Sequence, residues 1–166
     1  MAKFVPMKGL AEYELRLSKL SKNMKSVIAG RAIYGGADIV ANKIRENISS
    51  LPAITDKQNI AAYRSGEKSK LTAKQKEGLL NSLGISKMQE DSGYLNVKVG
   101  FDGYNSVKTK KYPKGQPNQL IARVVESGST YMDRIPFVRP AINQTKKLAE
   151  AEMARIMDNE IEKIMK

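Results

Sequence analysis

The sequence predicts an α+β fold: a small antiparallel β-sheet packed by a long N-terminal helical region and a long C-terminal helix, with a loop-rich insertion between them. Three observations predict it. Apolar residues recur at three- and four-residue spacing over about residues 24–48 and again over about 139–163, which marks amphipathic helices. The run YLNVKVGF, residues 94–101, alternates apolar and polar side chains as a half-buried strand does. The order along the chain reads strand, two helices, insertion, strands, helix, which suits helices packed on one face of a small sheet.

Each element has its own warrant. Phe4, Val5 and Met7 make a short apolar stretch over residues 3–7, and Pro6 suits an edge strand. Leu10, Tyr13, Leu17, Leu20 and Met24 fall at helical spacing and give a helix over 9–22. Ser21 is placed to cap a longer helix over 24–48, with Val27, Gly30, Tyr34, Ala37, Ala41, Ile44 and Ile48 on its apolar stripe. Gly35 and Gly36 in its middle cost about 1 kcal/mol each against alanine, which close packing or a kink must offset.

Residues 49–70 read as a connection, and Thr72 with Gln75 matches a capping box before a short helix that Gly84 would end. After the strand at 94–101 comes DGYNSVKTKKYPKGQPNQ, rich in lysine, glycine and proline, which reads as a mobile basic loop over about 102–118. QLIARVV, residues 119–125, reads as a second strand antiparallel to the first. Pro136 and Pro140 bracket Phe137-Val138-Arg139. Proline restricts the residue before it to extended conformations and is tolerated in the first turn of a helix. Pro136, Phe137 and Pro140 therefore form a rigid corner that aims the C-terminal helix, with Phe137 anchored in the core. The whole, residues 1–166, reads as a single domain with a helical insertion over about 51–84.

Composition narrows the chemistry. The chain has 166 residues, no histidine and no cysteine. It therefore lacks the commonest general base and metal ligand, and the thiolate nucleophile. Ser-His-Asp and Cys-His hydrolysis are excluded. A carboxylate-only hydrolase would have Glu90, Asp91, Asp102 and Glu126 to use, and nothing in the sequence places them together. The glycines of VGFDGYN lack the P-loop and dinucleotide spacings. No enzyme activity, cofactor or metal site is expected. No segment reaches the ~18–20 apolar residues of a membrane span, and the N-terminus carries no apolar signal core.

The formal net charge is +12. Residues 1–117 carry 21 basic against 10 acidic side chains, whereas residues 118–166 carry 8 against 7. A basic excess favours nucleic acid, an acidic protein or a membrane surface. Lys108, Lys110, Lys111 and Lys114, interleaved with Tyr104 and Tyr112, are candidate contact residues, since lysine neutralises phosphates and tyrosine stacks on exposed bases. Arg134 is a further candidate contact, and Glu126, at the end of the second expected strand, is placed to pair with a basic residue of a neighbouring subunit.

The order and spacing of several segments resemble one family. They are Lys8-Gly9-Leu10, ADIVANKIRENI (37–48), LLNSLGI (79–85), GYLNVKVGFDGYN (93–105), LIARVVESGS (120–129) and PFVRPAI (136–142). Together they resemble the small neck proteins of long-tailed bacteriophages, the head–tail connector or tail-completion proteins akin to minor tail protein Z. The sequence departs from that pattern in having Asp133-Arg134-Ile135 where Ala-Arg precedes the Pro-Phe pair, and Ser127-Gly128-Ser129 at the turn in place of Gly-Thr.

The resemblance implies a structural virion protein without enzymatic activity, made in the host bacterial cytoplasm and built into the neck where head meets tail. It implies a hexameric ring of self-associated copies around a channel carrying double-stranded DNA. Its neighbours would be a neck stopper or head-completion protein, a tail terminator and the tail tube. The alternative is a basic nucleic-acid-binding module.

Overall fold

The computed structural model describes residues 22–165. The strand expected at 3–7 and all but the last residue of the helix expected at 9–22 lie outside the described residues. The architecture is α+β, with five helices and four short strands among the described residues.

Helix α1, Lys22–Ser50, and helix α5, Val138–Met165, form the long axis. They run antiparallel: Arg31 is ion-paired with Glu160 near one end, and Asn47 Nδ2 donates to the Phe137 carbonyl (2.9 Å) near the other. The glycine pair sits at the middle of this contact. A side chain on Gly35 would overlap Ile156, and one on Gly36 would stand 2.7 Å from Met153 Cγ. Close helix approach, not a kink, is what offsets the helical cost of these glycines.

The buried face of α1 is Ile28, Ala32, Ala41, Ile44 and Ile48. Its C-terminal half follows the expected stripe, but its N-terminal half buries Ile28, Ala32 and Gly36 in place of Val27, Gly30, Tyr34 and Ala37. Val27 is therefore exposed, and Tyr34 lies at the surface with its hydroxyl donating to the Ser86 carbonyl (3.2 Å).

The connection after α1 is not structureless. Thr55 and Gln58 form a full capping box at the start of α2, Asp56–Arg64, a short helix with no buried residue, held by the Asp56–Lys74 ion pair. The capping box at Thr72 and Gln75 starts α3, Ala73–Ser82, as the sequence indicates. Gly84 does not end this helix. Leu83 leaves it in an extended conformation and the chain runs directly into β1, Leu83–Ile85. Within the expected helical insertion over about 51–84, Leu51, Leu71, Leu79 and Leu83 enter the main core, and α2 buries no residue.

The expected single strand at 94–101 is two. β2, Gln89–Asp91, pairs with β3, Tyr94–Asn96; β1 pairs with β4, Val99–Phe101; both pairs are antiparallel. Leu83↔Phe101 and Ile85↔Val99 share one register, and the Ser86–Lys98 hydrogen bonds continue it. Gln89↔Asn96 is displaced from it by one residue. Lys87 and Met88 thus oppose Val97 alone, a β-bulge that splits one long hairpin into two arms. The bulge turns Met88 toward Gly30 of α1. Ser92 and Gly93, both at positive φ, close the outer arm as a two-residue turn.

QLIARVV is a helix, not a strand. α4 spans Asn118–Ser127 and buries Asn118, Ile121, Ala122 and Val125, a spacing of three, four and seven that only a helix places on one face. The main core gathers Ile44 and Ile48 of α1, Leu79 of α3, Leu83 of β1, Ile121, Ala122 and Val125 of α4, Phe137, and Ala141 of α5. No described helix is long and apolar enough to cross a membrane.

Candidate functional site

The Pro-Phe-Val-Arg-Pro corner is built from the core outward. Phe137 is buried and meets Phe101 of β4 edge to face, with ring centroids 5.9 Å apart. Pro136 is exposed, and Pro140 lies half-buried in the first turn of α5. Helix α5 has no Ser, Thr, Asp or Asn directly before it to take up its first amide protons. Glu126, at the end of α4, does so instead. Its Oε2 accepts from the N–H of Phe137 (2.7 Å) and Val138 (2.8 Å), and its Oε1 from that of Arg139 (3.0 Å). Partial burial pushes this carboxyl up. The three amides and the nearby Arg139 charge outweigh that and hold it below the usual carboxylate value. Both oxygens of Glu126 are thus engaged within the chain, and its position at the element end serves as a helix cap.

The segment between the two helices is a closed turn. Ile135 N–H donates to the Val125 carbonyl (2.7 Å), Ser129 and Met132 exchange backbone hydrogen bonds, and Lys68 pairs with Asp133. Arg134 is exposed beside a cleft of about 490 Å³ lined by Glu126, Pro136, Arg139, Pro140, Asn143 and Gln144.

The basic loop is more structured than its composition indicates. Asn105 N–H donates to the Gln116 carbonyl, Gln116 N–H to Val107, Asn118 N–H to Gly103, and Thr109 and Tyr112 bond to each other. Lys108, Lys110, Lys111 and Lys114 project from this closed frame, all exposed and none ion-paired among the described residues. Lys111 lies over the Tyr112 ring at 5.6 Å, and the Tyr104 side chain is exposed. The four lysines stand at the N-terminal end of α4, and Arg134 and Glu126 at its C-terminal end. Ten helical residues separate them by about 15 Å, so the candidate contacts form two surfaces rather than one.

The loop is seated by Asn105 and Asn118, both buried against α3. Asn105 Oδ1 accepts from the Val107 N–H (2.9 Å), and Asn118 Nδ2 donates to the Asp102 carbonyl (3.0 Å). They approach Gly78 closely: a Cβ there would stand 2.6 Å from both Asn105 Cβ and Asn118 Oδ1. Since Asn105 Cβ is fixed to the backbone, Gly78→Ala is expected to cost about 1–3 kcal/mol despite alanine's better helix propensity. The readouts are thermal unfolding and faster tryptic cleavage at Lys108 to Lys114. Unchanged cleavage would show that Gly78 does not seat the loop.

Among the described residues no three His, Cys, Asp or Glu side chains group as metal ligands. Glu90 and Asp91 lie exposed on the outer hairpin arm, remote in the fold from Glu126. Asp102 lines a polar cleft with Lys74, Glu77, Asn81 and Tyr104. The carboxylates considered for hydrolysis are thus on three separate parts of the surface. Comparison with protein-family models, with curated proteins and with solved structures finds no match to the chain.

Proposed function

We propose that this chain is a structural virion protein of the bacteriophage neck, joining or completing the tail at the head–tail interface as a copy in a ring around the DNA channel. One observation carries the reading. Each described segment on which the resemblance rests sends a residue into one core, through Ile44 and Ile48, Leu79 and Leu83, Phe101, Val125 and Phe137, where they meet Leu51, Leu71 and Met132 from outside those segments. A shared order of core-building segments argues for a shared fold more strongly than any single motif does. The ring would associate with itself and, above and below, with a stopper or head-completion protein, a tail terminator and the tail tube.

Electron microscopy of lysates from a phage or prophage lacking only this gene tests the reading. Filled heads beside unjoined tails, or tails unfinished at their head-proximal end, are the expected result. Normal joined, infectious particles would overturn it.

The unpaired lysines on the closed loop favour a second reading, a nucleic-acid-binding module. It requires duplex affinity to fall ~10³-fold or more between 50 and 200 mM salt if about six phosphates are neutralised. Salt-insensitive or absent binding at low salt removes that reading and leaves the neck role standing.

A further inference from the structure

The outer hairpin arm and the Arg134–Arg139 cleft are complementary surfaces on one chain. The hairpin presents Glu90 and Asp91, exposed and without an ion pair among the described residues, beside Tyr94, whose 77% exposure exceeds that of the other exposed large apolar side chains. A two-residue turn at Ser92-Gly93 closes the tip of this knob. The cleft presents Arg134 and Arg139, exposed, with Pro136, Pro140, Asn143 and Gln144 as its walls. The carboxylate in the cleft, Glu126, accepts from three backbone amides and keeps its charge beside Arg139, so the two arginines leave the cleft with one net positive charge.

These surfaces cannot meet within one molecule. The hairpin lies against α1 at Gly30 and Tyr34, through Met88 and Ser86. The corner lies against α1 at Asn47. The 13 to 17 helical residues between these points separate the two surfaces by about 20–25 Å. A knob at one end of a chain and a matching cleft at the other is the arrangement of a head-to-tail interface, which closes into a ring when its rotation allows.

We propose that the β2–β3 hairpin of one copy docks in the Arg134–Arg139 cleft of a second copy of this chain. Glu90 and Asp91 face the two guanidinium groups, and Tyr94 packs on the Pro136 and Pro140 walls. Arginine suits this role because its planar fork takes a carboxylate through two hydrogen bonds. Arginine and tyrosine together are the usual anchors of protein interfaces. The lysine loop is a poorer seat for the knob, because its exposed lysines offer point charges where arginine offers a planar fork. This inference rests on the neck reading only for the existence of a self-associating ring.

The test is a charge exchange, with circular dichroism confirming that each variant is folded. E90K/D91K and R134E/R139E, each alone at low ionic strength, are expected to lose association by about tenfold or more in sedimentation velocity. An equimolar mixture is expected to recover it, because every contact is again between opposite charges. A variant that self-associates as wild type does overturns the docking and leaves the neck reading intact. So does a wild-type chain that stays monomeric at all concentrations, since the neck reading is judged separately by the gene-deletion particles. Loss of duplex DNA binding by R134E/R139E with unchanged self-association would assign the cleft to nucleic acid instead.

Cross-linking keeps the proposal falsifiable if the reversed variants fail to fold. The chain has no cysteine, so D91C/N143C forms disulfides only through the introduced pair. A covalent ladder between copies is expected, absent from a D91C/E162C control. No ladder, or an equal one from the control, overturns the docking.

Discussion

Phe137→Ala is expected to lower the free energy of unfolding by about 3–5 kcal/mol, the cost of emptying a large core site that cannot collapse. The site is poorly placed to relax. Phe137 is 1% exposed and is held on one side by Phe101 and on the other by the turn into α5. Pro136 before it and Pro140 after it limit how far the backbone can follow the missing ring. Urea denaturation checks the prediction, with the midpoint falling and the slope unchanged. Pro136→Ala, whose side chain is exposed, provides the contrast and should change stability only slightly. A loss well below 1 kcal/mol for Phe137→Ala would mean that the corner is not anchored by its aromatic ring.

Glu126→Ala is expected to cost about 2 kcal/mol at neutral pH, at the upper end for a helix cap, because one carboxylate serves three amides and carries a charge at a helix N-terminus. The effect depends on pH in a definite direction. The folded carboxyl titrates below its usual value, so the native state binds the proton less readily than the unfolded chain. The stabilisation is then complete above the ordinary carboxylate range and fades as pH falls toward and through the lowered folded value. Stability measured from pH 7 downward should show wild type losing its advantage over Glu126→Ala in that acid window. A gap between the two proteins that stays constant with pH would show that the carboxylate charge does not hold the helix start.

Much of the helical frame was legible because it is written locally. The periodic stripes of α1 and α5 and the Thr72–Gln75 capping box need only residues within a few turns of each other. α4 was not legible as a helix. Ile121, Val124 and Val125 are β-branched and favour extended chain on propensity, and the buried stripe begins with the polar Asn118, so apolar residues alone do not display its spacing. Pro117 before the segment and Gly128 after it were the punctuation that pointed to a helix.

The hairpin's division was hidden for a different reason. Alternation along Leu95, Val97, Val99 and Phe101 continues through a bulge whose extra residue is on the opposite strand. At the candidate surfaces, lysine exposure could be read from composition, but the hydrogen bonds that close their loop could not. Nor could the capping role of Glu126, whose amide partners lie 11 to 13 residues later. The one hint was negative: a helix start with no capping residue of its own.

The antiparallel pairing of α1 with α5 has a consequence for synthesis. Arg31 and Glu160, partners across it, are 129 positions apart, and α5 begins 88 residues after α1 ends. At about 5–20 residues per second, a ribosome needs roughly 4–18 s to cover that distance. Throughout that interval the nascent chain carries one half of its longest interface, with Ile28 and Ala32 still facing water. The chain is therefore open to aggregation until α5 has emerged and folded back on α1, and a holding chaperone that covers α1 over that interval is expected to raise its yield.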